Sequence, residues 1–233
     1  MPEAGRLRVV QWATGNIGTK SLRSVLTHPG LELVGVYVYA PEKVDVDAGT
    51  LCGLDPVGVE ATDDIDSIVA LGADCVLYMG RSCDLDAICR LLEAGANVVT
   101  TRGEFHHPPS MEAADRERVE AACRAGGTSI HSTGSSPGFI TEAVPLVLTS
   151  IQRRLDLLTI EESADMSRRN SPELIFQIMG FGRPPAAIDE RRLNHGLHSF
   201  GPSLRQTAQP PGPSRLMNHK ALPTAVRFST FSS

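Results

Sequence analysis

The chain opens on a short apolar run, Leu7 to Trp12 (LRVVQW), whose β-branched centre predicts a buried strand. Thr14-Gly15-Asn16-Ile17-Gly18 breaks that run, and Leu22, Val25 and Leu26 then recur at helical spacing. Pro29-Gly30 stops the helix, after which Leu31 to Tyr39 (LELVGVYVY) reads as a second, central strand. The alternation continues with a helix over Asp63 to Leu71, a strand over Asp74 to Tyr78, a helix over Asp84 to Ala94 and a strand over Asn97 to Thr101. A charged amphipathic helix over Met111 to Ala125 and a short strand over Thr128 to Ser132 complete it. Strands spaced by helices predict an α/β fold, a doubly wound parallel sheet with right-handed crossovers.

Ala13-Thr14-Gly15-Asn16-Ile17-Gly18 fits the fingerprint of a Rossmann-type dinucleotide turn, with Ala13 at the first glycine position. Gly15 would let the backbone approach a pyrophosphate, Gly18 would let the helix pack against the sheet, and the helix N-terminus would face the phosphates. Asn16 and Ile17 start that helix. The G-x-x-x-x-G-K spacing of a P-loop is absent, which argues against kinase or ATPase chemistry. The end of the second strand chooses between NAD and NADP through an acid for the ribose 2′-hydroxyl or a base for a 2′-phosphate. Here Glu42 and Lys43 stand side by side, and Tyr39 either lines the adenine pocket or packs on a helix, so both cofactors stay open.

Composition narrows the partners. All 27 acidic residues precede position 191, and three of the 22 basic residues follow Ala208, so the body carries 19 basic against 27 acidic residues, a net charge of −8. An acidic body predicts no nucleic-acid partner. No apolar run approaches a membrane span, and the N-terminal residues lack the pattern of a secretory signal, so the expectation is a cytoplasmic protein with no membrane partner. Five cysteines without a C-x-x-C pair predict reduced, buried thiols, and Asn194-His195-Gly196-Leu197-His198 lacks a third ligand, so no metal is expected. Gln209 to Ser233 has neither helical nor strand periodicity and predicts an irregular, disordered tail.

Gly15-Asn16-Ile17-Gly18, Tyr39-Ala40-Pro41-Glu42-Lys43-Val44, Thr101-Arg102-Gly103-Glu104-Phe105 and His131-Ser132-Thr133-Gly134-Ser135-Ser136-Pro137-Gly138-Phe139 together resemble the dihydrodipicolinate-reductase-like superfamily. Within it they resemble the 2,4-diaminopentanoate dehydrogenases and related NAD(P)-dependent amine dehydrogenases. The resemblance covers residues 7–208 and implies a Rossmann domain over 1–145, a partial α+β substrate and dimerisation domain over 146–208, and a tail over 209–233. It implies that Gly15, Asn16, Ile17 and Gly18, within the cofactor-binding turn Ala13 to Gly18, bind the pyrophosphate and that Thr100, Thr101 and Arg102 lie near the nicotinamide. It assigns Glu104 to the substrate amine and Gly134, Pro137 and Gly138 to the substrate's wall. It further implies a small-molecule amine or carbonyl substrate and a homodimer where the second domain is complete. Ile160 to Ser167 lacks the His-His-x-x-Lys-x-Asp-x-Pro-Ser-Gly-Thr signature of true dihydrodipicolinate reductases. The similarity stops near Gln206 to Ala208, where a truncated or frameshifted ending is expected.

Hydride exchange at a C–N centre needs a group that manages the amine proton. Lys20, Lys43 and Lys220 are the only lysines and none is well placed for it, so a carboxylate is the natural substitute. Glu104 follows a strand at the C-terminal edge of the sheet, where open α/β folds gather ligands. The alternative for Glu104 is a loop cap or a pair with Arg102. His106 and His107 follow on what reads as an exposed loop, as candidate acids or bases or as solvated surface. His131 reads as a core histidine in preference to one that touches the substrate or the cofactor carboxamide. The leading expectation is an amine or diamine dehydrogenase; an imine reductase on the same scaffold and a non-catalytic dinucleotide-binding remnant are the alternatives.

Overall fold

In the computed structural model the described residues are 5–154, 156–161, 165–167, 171–182, 184 and 200–207. The chain divides into two compact units, Met1–Thr133 and Gly134–Ser233.

The first unit is built on a six-stranded sheet. Its strands are β1 (Leu7–Trp12), β2 (Leu31–Tyr37), β3 (Ala61–Thr62), β4 (Cys75–Tyr78), β5 (Asn97–Thr100) and β6 (Ile130–Ser132). They run in the order β3-β2-β1-β4-β5-β6 and every pairing is parallel. The order reverses between β1 and β4, which places the crevice of a doubly wound sheet at the carboxyl ends of those two strands. The helices are α1 (Asn16–Thr27), α2 (Ala48–Leu51), α3 (Ile65–Ala70), α4 (Leu85–Glu93) and α5 (Ala113–Gly126).

Two apolar clusters sandwich the sheet. Val10, Trp12, Val76, Tyr78 and Val98 pack with Ile68 of α3, Ile88, Leu91 and Leu92 of α4, and Val119 and Ala122 of α5. Leu22 of α1 packs with Val36, Val38, Ala48 and Ala61 in the other cluster. Burial of both sheet faces explains why the strands read as nearly continuous apolar runs. Aspartates start two crossover helices: Asp64 accepts from the amides of Asp66 and Ser67, and Asp84 from that of Ala87. Gly127, at φ 64°, ends α5 in the left-handed conformation.

The elements lie within two or three residues of the pattern-based expectation. The short α2 and the two-residue β3 carry too few residues to show a period. One placement is corrected: His131 is exposed rather than core, because alternation on edge strand β6 turns Ser132 inward and His131 out. The cysteines are all free, with Cys52 and Cys89 buried and Cys75, Cys83 and Cys123 half-buried.

The second unit begins with a bent helical stretch, Ser135–Ala143, that continues into α6 (Val144–Thr149). Thr141 anchors it: its Oγ1 accepts from the Gly138 amide at 2.8 Å and lies 2.5 Å from Ser203 Oγ, while Thr207 Oγ1 donates to the Thr141 carbonyl at 2.6 Å. Residues 209–233, together with His195 and His198, lie outside the described residues. Among the described residues, no helix is long and apolar enough to cross a membrane.

Candidate functional site

The site is the turn between β1 and α1. Ala13 takes φ +69°, a left-handed conformation that costs a residue with a Cβ about 1 kcal/mol. The turn's carbonyls are all tied down. Trp12 O accepts from the Met79 amide at 3.0 Å, Ala13 O from Gln11 Nε2 at 3.0 Å and Gly15 O from the Thr19 amide at 2.8 Å. Thr14 O accepts from Thr19 Oγ1 at 3.0 Å and from Lys43 Nζ at 2.9 Å. With the oxygens engaged, the amides of the first helical turn, which α1 itself cannot pair, form the polar lining of the turn.

The two glycines do different work. A Cβ on Gly18 would stand 2.0 Å from the Ala13 carbonyl oxygen, so the helix lies on the turn at a distance that only glycine permits. A Cβ on Gly15 would meet nothing within 4 Å, so the space above that residue is open to a ligand. The N-cap Gly15 offers no side-chain cap, and no acid lies in the first turn of α1. The helix dipole and the Lys43 ammonium, held at Thr14 O and at 3.2 Å from Thr14 Oγ1, make the turn a place for an anion. Lys43 thus lies on the turn itself. Glu42 is exposed in the single turn Pro41–Lys43.

An aromatic row flanks the turn. Register aligns Trp12 with Tyr37 on one side and Tyr78 on the other. The Trp12 ring stacks on Tyr37 at 3.7 Å between centroids and lies 5.7 Å from that of Tyr78. Trp12 Nε1 donates to the Tyr39 hydroxyl at 2.8 Å. Tyr39 is half exposed, so its ring stands at the surface while its hydroxyl is fixed from below. Burial, followed by the neighbouring Tyr39 hydroxyl, pushes the Tyr78 phenol up beyond its ordinary range.

At the end of β5, buried Thr100 donates through Oγ1 to Tyr78 O at 2.8 Å and accepts from the Arg102 amide at 3.1 Å. Thr101 is exposed. Arg102 holds Glu104 with both arms, at 2.5 Å and 3.2 Å, and its third nitrogen donates to Arg81 O at 2.6 Å. Glu104 therefore does pair with Arg102, yet its side chain stays 41% exposed. An arginine pair uses one lone pair on each carboxylate oxygen and leaves the others for a ligand's N–H. Nearby Cys83 senses the same charges: burial first, then the Glu104 carboxylate, push its thiol up to about 11, against the pull of Arg102.

His106 and His107 are corrected from an exposed loop to buried positions, at 4% and 3% exposure. Gly103–Phe105 and Pro108–Ser110 fold into single helical turns around them, Phe105 enters the core, and His107 Nδ1 lies 2.7 Å from Ser110 Oγ. Gly134, Pro137 and Gly138 belong to the second unit. Gly138 is buried at φ +127°, and a Cβ on Gly134 would approach Pro137 O to 2.6 Å. Among the described residues no cluster of three metal-ligating side chains occurs. Gln11 was not anticipated as a site residue. The available signal was a polar residue inside the apolar run VVQW.

These features define a nucleotide-binding α/β domain of the doubly wound type. Residues 9–103 match the family described as dihydrodipicolinate reductase, N-terminus. That match lies within the first unit. The chain is 35% identical over 190 residues to an amine dehydrogenase of Streptomyces virginiae, covering 76% of this chain and 51% of that protein. It is also 42% identical over 69 residues to a 4-hydroxy-tetrahydrodipicolinate reductase of Anaeromyxobacter sp. (strain Fw109-5), covering 30% of this chain and 25% of the reductase. The chain thus spans about half the length of the amine dehydrogenase and a quarter of the reductase. The solved amine dehydrogenase of Mycobacterium smegmatis shares the fold, with a TM-score of 0.59 and 22% identity over 64% of this chain and 45% of that one.

Proposed function

We propose that the protein is an NAD(P)-dependent oxidoreductase acting on a C–N centre, of the amine or diamine dehydrogenase type. The observation that carries the reading is the turn at residues 13–18, with its carbonyls tied inward, open space over Gly15 and the Lys43 ammonium on Thr14. Gly15 and the first turn of α1 would hold the pyrophosphate of a dinucleotide, Tyr39, Glu42 and Lys43 its adenosine half, and Thr100, Thr101 and Arg102 its nicotinamide, which would supply the hydride acceptor. The similarity to an amine dehydrogenase over 76% of the chain supports the substrate class.

The overall reaction takes an ammonium-bearing carbon, water and oxidised cofactor to a carbonyl, ammonium, reduced cofactor and one proton. Glu104, oriented by Arg102, holds the substrate ammonium through its remaining lone pairs and takes a proton from the nitrogen, so that its electron pair can follow the departing hydride. His106 and His107 line the same loop as reserve acids or bases. A homodimer is the proposed assembly where the second domain is complete.

The test is oxidation of NADH or NADPH by the purified protein with a ketone, with and without ammonia. Ammonia-dependent turnover is expected. Replacing Glu104 with Gln lowers it by about 10²- to 10⁴-fold, the range of a lost acid–base group, and leaves cofactor affinity unchanged. Wild-type turnover in that variant contradicts the assignment. Ammonia-independent reduction of a cyclic imine would instead favour a reductase.

A further inference from the structure

Gln11 is fully buried at the second-last position of β1. Its Nε2 has three carbonyls in reach: Ala13 at 3.0 Å, Trp12 at 3.2 Å and Leu77 of β4 at 3.4 Å. Its Oε1 has no hydrogen-bond partner among the described residues. An unpaired buried acceptor destabilises a fold, and an apolar side chain of the same length would avoid that cost. Of the three carbonyls, Trp12 O already accepts from the Met79 amide. Ala13 O is the nearest and belongs to the one turn residue held at positive φ. The Gln11 amide also lies 3.3 Å from where a Gly18 Cβ would stand, so it fills the angle between strand, turn and helix.

We propose that Gln11 is a positioning residue for the anion-binding turn. Its amide anchors the Ala13 carbonyl, holds Ala13 left-handed against that residue's own preference, and so keeps the turn's oxygens inward and the α1 N-terminus open. A glycine at position 13 would take this conformation unaided; an alanine needs the anchor. The inference rests on the cofactor reading above for its binding consequence, but its structural consequence stands apart from it.

The test uses the full chain with Gln11→Met, which keeps length and loses the donor, and the double variant Gln11→Met with Ala13→Gly. Two readouts are taken: affinity for NADH and NADPH, and amide hydrogen exchange at Ala13 and Thr19, whose amides bond to Tyr37 O and Gly15 O. Gln11→Met is expected to keep its thermal midpoint within a few degrees, to bind the cofactor at least tenfold more weakly, and to exchange Ala13 and Thr19 faster while α4 and β4 are unaffected. The added Ala13→Gly is expected to restore most of both losses. Unchanged exchange in Gln11→Met, or exchange that Ala13→Gly fails to restore, overturns the proposal. If the wild type binds neither cofactor, the cofactor reading fails by itself, and the exchange measurement still decides the role of Gln11.

Discussion

Gly15 and Gly18 lie three residues apart, and the structure separates what each contributes. Adding a methyl at Gly18 forces it into the Ala13 carbonyl, so Gly18→Ala is expected to cost about 1–3 kcal/mol, as overpacking does, and to lower the thermal midpoint by several degrees. Gly15→Ala meets open space and is expected to change stability by less than about 0.5 kcal/mol while weakening the cofactor at least tenfold. Thermal unfolding of the two variants checks the contrast. Cys83 supplies a pH dependence. Its thiol, raised by burial and by Glu104 from near 9 to about 11, stays protonated in the folded chain where the unfolded chain has begun to ionise. Its contribution to stability is therefore complete below about pH 9 and lost as pH rises toward 11. Urea midpoints across that range are expected to fall, and to fall less steeply in Cys83→Ser. A fall equally steep in that variant contradicts the assignment.

At the scale of elements, caps and turns carry the information. Asp84 starts α4 by accepting from the Ala87 amide, and its own amide donates to the Tyr78 hydroxyl at 3.2 Å, which ties the helix start to the aromatic row. Asp84→Ala removes the side-chain cap and is expected to cost about 1 kcal/mol, measured by chemical unfolding; an unchanged midpoint would mean the cap is redundant. Apolar periodicity suffices for the long elements, because β1, α1, β4 and α4 each bury a face or both faces. It is silent on β3 and α2, of two and four residues: β3 is placed by its pairing with β2, and α2 starts at the Asp47 cap on the Gly49 amide. The fingerprint turn was legible because its glycines answer a local steric demand. The Gln11 anchor, Lys43 on Thr14 and the inward turn of His106 and His107 were not, since each depends on which side chains tertiary packing brings together.

For the whole molecule, the sheet, crevice and turn of the proposed nucleotide site, and the Arg102–Glu104 pair proposed to meet the substrate amine, all lie within residues 1–133. The segments 39–44 and 101–105 carry family likeness in sequence and converge on the carboxyl edge of one sheet in three dimensions. The central claim is that the turn at residues 13–18 binds a nicotinamide dinucleotide, and Trp12, the only tryptophan, stands beside that turn as a built-in probe. The most direct measurement is a fluorescence titration of the wild type and Gly15→Ala with NADH and NADPH, exciting Trp12 and recording cofactor emission. Saturable quenching with sensitised emission in the wild type, weakened in a Gly15→Ala variant that remains folded, is the predicted result. A folded wild type that responds to neither cofactor, or a Gly15→Ala variant that binds as well as the wild type, would contradict it.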